Sequence, residues 1–323
     1  MSKRNQILAG ILALQLVVVA VVFWPRKAAS GAVGKSLFPG LEPDRIAKLT
    51  ISDAQGQTIQ LTRQPNGWVL PESEDYPCTA DTVSTFLGKL TALKTDRLVT
   101  QTSGSHKRLR VAEDAFERKV EFELSDGTKH RLYLGTSASG TSSHMRADDQ
   151  NEVYLSGNLS SWDVSTAATG WIDTVYWSVP QDQLVAMTLE NANGRFELNK
   201  DAAGTWTLKG LAAGETLDAT GVQGFVSQAA SISLSKPLGK QETPEYGMQQ
   251  PGALLTLQTQ KDQESKTYTL RIGAKDKDNN YTVKSSESAY YVSVSEWAVQ
   301  DLVEKARSGF LQLPPTPAAT PQS

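Results

Sequence analysis

The sequence predicts an α+β fold: an N-terminal apolar segment followed by two tandem duplicated domains of mainly antiparallel β-sheet, each with covering helices. Three observations carry this reading. The first is internal repetition. Asp44-Arg45-Ile46-Ala47-Lys48-Leu49-Thr50-Ile51 returns as Asp182-Gln183-Leu184-Val185-Ala186-Met187-Thr188-Leu189, Trp68 returns as Trp206, and Leu132-Tyr133-Leu134-Gly135 returns as Leu270-Arg271-Ile272-Gly273, each 138 residues later. The second is the alternation of strand-period and helix-period patterning in the order strands, helix, strands, helix, which argues against a parallel nucleotide-binding sheet. The third is size. At 323 residues, with 39% hydrophobic and 21% charged residues, the chain is long enough for two cores.

The elements follow in chain order. Ile7 to Trp24 is an eighteen-residue stretch with Gln15 as its one strongly polar side chain. As a helix it spans about 27 Å, enough to cross a bilayer. Lys3 and Arg4 precede it, Arg26 and Lys27 follow it, Phe23 and Trp24 close it at interface depth, and Pro25 stops it. Ala28-Ala29-Ser30-Gly31 offers a signal-peptidase alternative, but the apolar stretch exceeds the usual roughly 7 to 15 residues and two cations intervene, which favours an uncleaved anchor. The short cationic stub stays inside and the downstream domains are exported. Residues 1-27 are thus expected to be the anchor and residues 28-43 a spacer.

The first repeat is assigned to residues 44-178. Ile46, Leu49 and Ile51 begin an alternating meander, Thr58 to Leu61 continues it, and Asn66-Gly67 leads into Trp68-Val69-Leu70. Val83, Phe86, Leu87, Leu90 and Leu93 then form a helical stripe behind Thr79 and Asp81 as N-caps. A hairpin of Lys119 to Leu124 and Lys129 to Leu134, a strand ending at Val153-Tyr154-Leu155 and a helix over about Ser160 to Ala167 complete it.

The second repeat, residues 179-313, shows the same plan. Leu184 to Leu189, Arg195 to Leu198 and Trp206 to Leu208 precede a helical stripe of Val222, Phe225, Val226, Ala229 and Ile232. Strands at Leu254 to Thr259, Thr267 to Ile272 and Tyr290 to Val294 follow, then a helix over about Ser295 to Arg307. Between the copies, Gly170-Trp171-Ile172-Asp173-Thr174-Val175-Tyr176-Trp177 is too aromatic for a flexible linker and is expected to pack. Residues 314-323 read as a disordered Pro-rich tail.

Charge and composition narrow the function. The net charge is −3, or −7 without Lys3, Arg4, Arg26 and Lys27, so no nucleic acid is expected as a partner. The one basic run, Lys107-Arg108-Leu109-Arg110, is followed at once by Glu113 and Asp114 and reads as a solvated turn. Cys78, the single cysteine, cannot close an intrachain bridge, so packing alone holds the fold.

Each candidate motif lacks a part that its chemistry needs. Gly31-Ala32-Val33-Gly34-Lys35-Ser36 resembles the end of a phosphate loop, but Ala29 stands where the first glycine is required. Ser233-Leu234-Ser235-Lys236 fits Ser-x-x-Lys without its Ser-Asp-Asn and Lys-Thr-Gly companions. Asp276-Lys277-Asp278-Asn279-Asn280 with Glu287 imitates a calcium loop, yet Tyr281 holds the position that needs glycine, so a polar hairpin turn is expected. His106, His130 and His144 have no partner at ligand spacing and make no zinc signature with Cys78. Trp68 and Trp206 are read as core residues, with sugar stacking as the lesser alternative. No catalytic, cofactor-binding or metal-binding residue is therefore assigned, and no cofactor is expected.

The strand before Trp68 or Trp206, the helix with Phe86 or Phe225, the segment Tyr246-Gly247-Met248-x-x-Pro251 and the hairpin ending Leu270-Arg271-Ile272-Gly273 resemble a bacterial membrane-anchored family, catalogued as domain of unknown function 4340. The likeness runs from about residue 44 to residue 311. The first copy departs from it at Leu109-Arg110-Val111-Ala112-Glu113-Asp114, where Tyr-Gly and Pro are expected. The resemblance implies an N-terminally anchored extracytoplasmic protein akin to the auxiliary components of ABC-type transport systems. The expected function is a non-enzymatic, single-pass protein of the cytoplasmic (inner) membrane that scaffolds such a complex. The alternative is a binding module for a glycan or small ligand seated between the repeats.

Overall fold

The computed structural model describes residues 34–312 together with Gln15. The expected anchor over Ile7 to Trp24, Gln15 apart, and the expected tail over 314-323 lie outside the described residues. Among the described residues, no helix is long and apolar enough to cross a membrane. What is described is mostly antiparallel β-sheet with a few helices, an α+β fold.

The first meander is β1 (Ile46–Asp53), β2 (Thr58–Gln64), β3 (Gly67–Leu70) and β4 (Tyr76–Pro77). In β1 and β2, Leu49 faces Leu61 and Ile51 faces Ile59, so the alternating apolar residues of both strands fall on one buried face. Helix α1 (Ala80–Thr91) follows, then β5 (Leu98–Thr100), the single helical turn α2 (His106–Leu109), and the short pair β6 (Val111–Ala112) and β7 (Ala115–Phe116). β8 (Arg118–Leu124), β9 (Lys129–Ser139), β10 (Ser142–Ala147) and β11 (Val153–Leu155) complete the series.

A second series follows. After β12 (Val175–Ser178) come β13 (Leu184–Asn191), β14 (Gly194–Lys200), β15 (Trp206–Leu208) and helix α3 (Ala219–Ala229). β16 (Ser231–Ser233), β17 (Lys236–Gly239), β18 (Ala253–Lys261), β19 (Glu264–Lys275), β20 (Asn280–Ser285), β21 (Tyr291–Ser295) and helix α4 (Glu296–Glu304) follow. Met187 faces Leu198 and Leu189 faces Phe196 across β13 and β14, the pairing seen in β1 and β2.

Nine strands form one sheet in the order β4-β3-β2-β1-β8-β9-β10-β11-β5, and eight form another in the order β15-β14-β13-β18-β19-β20-β21-β17. Without β4, the two orders coincide strand for strand. The helix α1 buries Val83, Phe86, Leu87 and Leu90, and α3 buries Val222, Phe225, Val226 and Ala229. Asp218 caps α3, its carboxylate accepting from the Gly221 N–H at 3.0 Å.

By compactness the chain divides into a unit of Met1–Pro43, Gly88–Lys119 and His130–Asp163, and a unit of Asp44–Leu87, Val120–Lys129 and Val164–Ser323. In the first unit Leu109, Val111, Tyr133 and Val153 cluster with Phe116 against them. In the second unit Phe86 meets Trp171 edge-on at 5.3 Å, and Phe225 meets Phe310 in the same way at 5.4 Å. The Thr79 N–H donates to the Trp171 carbonyl at 2.7 Å, as the Asp218 N–H does to that of Phe310 at 2.9 Å. Trp171 and Trp177 are almost wholly buried, so the aromatic segment before residue 178 packs instead of linking.

Three sequence expectations are corrected. The end of the expected spacer is structured: Ser36 bridges to Lys94, and Leu37 and Phe38 are buried, because both apolar side chains gain by leaving water. Leu93 and Ile232 lie past the ends of their helices, Ile232 in strand β16, although both are buried. The expected helix over Ser160 to Ala167 is only a 3-10 turn at Ser161–Asp163. There the Asp163 carboxylate accepts from both the N–H and the hydroxyl of Ser160, which satisfies the chain locally without a helix.

Candidate functional site

The second unit carries a groove of about 500 Å³ whose lining includes Gln57, Gln60, Glu72, Thr166, Ser235 and Lys236. Two buried residues hold chain segments that line it. Asp53 holds the β1–β2 turn by accepting from the Gln55 and Gln57 N–H groups at 3.0 and 2.9 Å, and the hydroxyl of Thr166 donates to its second oxygen at 2.9 Å. The indole N–H of Trp171 donates to the Ser165 carbonyl at 2.9 Å, fixing the strand of chain that bears Thr166. With Glu72 and Lys236 exposed on opposite-sign side chains, the groove suits a polar ligand held by hydrogen bonds.

Beside it, the turn that follows β3 covers strand β17. Glu74 and Asp75 adopt left-handed backbone, with φ of 53° and 63°. The Lys240 N–H donates to the Glu74 carboxylate at 2.9 Å, and the Tyr290 hydroxyl donates to the Asp75 carbonyl at 2.6 Å. Tyr76 stacks edge-on against Tyr290 with 4.7 Å between ring centres, and the Lys240 ammonium lies 4.9 Å from the Tyr290 ring. Sequence reasoning missed this set, since Glu74, Asp75, Lys240 and Tyr290 carry no motif and meet only through tertiary structure.

A smaller pocket of about 220 Å³ lies along the Tyr-Gly-Met segment, lined by Glu242, Pro244, Gly247 and Met248. A Cβ added at Gly273 would collide with the Tyr246 carbonyl, and one at Gly135 would collide with the Leu109 carbonyl. Arg110 takes the left-handed place of Gly247, φ 59° against 65°, so the departure at Leu109-Arg110 preserves the same turn with a different residue.

The motif residues are dispersed. His106 bonds the Asn151 carbonyl at 2.9 Å, His130 bonds the Asp148 carboxylate at 3.1 Å, and His144 bonds Thr136 at 2.9 Å. No group of three His, Cys, Asp or Glu among the described residues is placed to hold a metal ion. Cys78 is partly buried, and that burial pushes its thiol up to about 12. Ser233 ends β16 and Lys236 begins β17, with Leu234 buried between them. Asp276 accepts from the N–H groups of Asp278 and Asn280, closing a hairpin turn, while Glu287 pairs with Lys266. Gly34, Lys35 and Ser36 of the phosphate-loop likeness form a turn and bridge, and its first three residues lie outside the described residues. The basic run forms α2 with Leu109 buried, and Lys107 and Arg110 pair with Asp114 and Glu117.

Trp68 and Trp206 are buried in β3 and β15, under Arg63 and Lys200 at 5.7 and 5.2 Å from their rings. The Trp206 indole N–H is buried with no hydrogen-bond partner among the described residues. By contrast, Trp162 is 81% exposed and Trp297 76%, each three residues or fewer from a buried valine, Val164 or Val299. The shared Ser-x-Trp-x-Val spacing of residues 160–164 and 295–299 was available in the sequence as a signal for both.

A family model described as Domain of unknown function (DUF4340) matches residues 68–251, more than half of the chain. No curated protein and no solved structure matches it.

Proposed function

The chain belongs to the family described as a domain of unknown function (DUF4340), and from that membership we propose a non-enzymatic scaffold built of two like modules, tethered by Ile7 to Trp24 to the cytoplasmic membrane with its globular part outside the cytoplasm. The single observation that supports this most is the coincidence of strand order in the two sheets, each closed by the same kind of edge strand. Duplicated sheets offer extended surface for contact. The side chains that could suggest chemistry, the three histidines, Cys78 and Asp276, are each absorbed in local hydrogen bonding or burial.

The partner in this reading is a membrane complex, an ABC-type transport system, as the family resemblance implies. Detergent extraction of the full chain from its own membranes, followed by affinity purification, should recover a multispanning protein together with an ATPase. Recovery of neither, with the chain intact and folded, defeats the proposal.

The groove, in which Gln57, Glu72, Thr166 and Lys236 stand beside Ile59 and Leu70, favours a second reading, a binding module for a glycan or small ligand. A thermal-shift panel separates the two. A ligand at about 100 times its dissociation constant should stabilise the chain by about 2.7 kcal/mol. A panel of envelope glycans and small polar metabolites with no such shift removes the second reading.

A further inference from the structure

Two corresponding turns have opposite surroundings. The turn after β3, from Pro71 through Asp75, covers the edge strand β17. The Ser73 hydroxyl donates to the Pro237 carbonyl at 3.4 Å, the Lys240 N–H donates to Glu74, and Tyr290 donates to the Asp75 carbonyl. Gly239, at φ 106°, lies so near Glu74 that an added Cβ would stand 2.9 Å from its carboxylate oxygen. Under this cover Pro237 and Gly239 are buried.

The turn after β15, residues 209–214, is exposed throughout and holds Leu211 in solvent at 38% exposure. Aligned on the helix starts at Ala80 and Ala219, Leu211-Ala212-Ala213 stands where Glu72-Ser73-Glu74 stands in the first turn. Gly214 at φ 89° then matches the left-handed Asp75. The strand that corresponds to β17 is β5: each ends its sheet, and Leu98 precedes Lys236 by 138 residues. Among the described residues nothing covers β5, with Leu98 42% and Val99 40% exposed.

An uncovered edge strand bearing apolar side chains is a template for another chain. Here one edge is covered by the molecule's own turn, while the equivalent edge and the equivalent turn are both left open. Those are the two halves of a heterologous contact. We propose that β5 of one copy is capped by the 209–214 turn of a second copy, head to tail, with Leu211 seated against Leu98 and Val99. The polar capping contacts at β17 give way to apolar ones on both sides at once: Glu72-Ser73-Glu74 becomes Leu-Ala-Ala, and Lys236-Pro237 becomes Leu-Val. This inference rests on reading the two sheets as like modules. It is independent of the transporter, because co-purification with an ATPase can succeed or fail whatever the chain does with its own copies.

The test uses the full chain in detergent micelles with Cys78→Ala as background. Leu98→Cys and Leu211→Cys are made separately, carry different tags, and are oxidised alone and mixed. The mixture should yield a disulfide-linked dimer bearing both tags, and neither variant alone should yield a dimer. Dimers of Leu98→Cys with itself would overturn the proposal in favour of edge-to-edge pairing. Absence of any cross-link from folded protein would overturn it outright. As a check free of cysteine chemistry, Leu98→Lys, at an exposed site where folding is not at stake, should abolish self-association in sedimentation velocity; association that persists in this variant would also overturn it.

Discussion

The backbone carbonyl of Tyr246 lies against the α-carbon of Gly273, where any side chain would collide with it, and the carbonyl of Leu109 stands in the same relation to Gly135. Neither glycine has a left-handed backbone, so both are required by close approach rather than by conformation. Gly273→Ala and Gly135→Ala should therefore each destabilise by about 1–3 kcal/mol, the range for an overpacked site. Urea unfolding followed by circular dichroism measures this. An unchanged midpoint in either variant would show that the carbonyl moves aside freely.

The edge-on pairs Phe86 with Trp171 and Phe225 with Phe310 make equal demands on the core. Phe86→Ala and Phe225→Ala should each cost about 3–5 kcal/mol. Trp162→Ala and Trp297→Ala remove still larger side chains, but ones that face water, and should change stability by no more than about 0.5 kcal/mol. If the exposed pair proves as costly as the buried pair, the packing described for Trp171 and Phe310 is not what stabilises these helices.

Burial pushes the Tyr176 phenol up to about 12, and burial, with the Asp173 carboxylate adding to it, does the same for Tyr76. A phenol whose folded pKa is raised keeps its full contribution to stability below its unfolded value near 10. That contribution is lost as the pH rises through about 12. The chain should lose stability over this alkaline window, with the tyrosinate signals of Tyr176 and Tyr76 growing only as unfolding proceeds. Tyr176→Phe should flatten the alkaline loss. It should also cost about 1–3 kcal/mol at neutral pH, since the phenol accepts from the Ser285 N–H at 2.8 Å and donates to the Tyr290 carbonyl at 2.7 Å. Ordinary titration of Tyr176 and Tyr76 in the folded chain, assigned by comparison with Tyr176→Phe and Tyr76→Phe, would refute this.

Cys78 keeps its proton for the same reason, burial, and the thiolate is the reactive form. Alkylation by a maleimide at neutral pH should be slow in the native chain and fast in urea. Equal rates in the two states would contradict the buried, protonated thiol.

Much of the fold is legible in local pattern. Period-two alternation in Ile46 to Ile51 and Leu184 to Leu189 identifies two buried sheet faces. The stripes at Val83–Leu90 and Val222–Ala229 identify the helices, because burial acts on neighbours along the chain. The short elements were less readable. Ser160 to Ala167 has a helix-like pattern, yet the Asp163 carboxylate accepts from the Ser160 N–H and hydroxyl and closes a single turn. Leu37 and Phe38 read as spacer in the sequence because the groups they meet come from distant segments, the Leu37 N–H donating to the Leu93 carbonyl.

Sequence alone determined the α+β class, the strand and helix periods, and the 138-residue spacing that pairs Trp68 with Trp206 and Gly135 with Gly273. Those are properties of residues close in the chain, or of one stretch compared with another. Tertiary structure alone decided the strand order of each sheet, the closeness of the Tyr246 carbonyl to Gly273, and the covering of β17 by Glu74 while nothing among the described residues covers β5. These depend on contacts between segments that are not neighbours in the chain, where hydrogen-bond geometry and steric fit choose among partners that composition and periodicity leave equivalent.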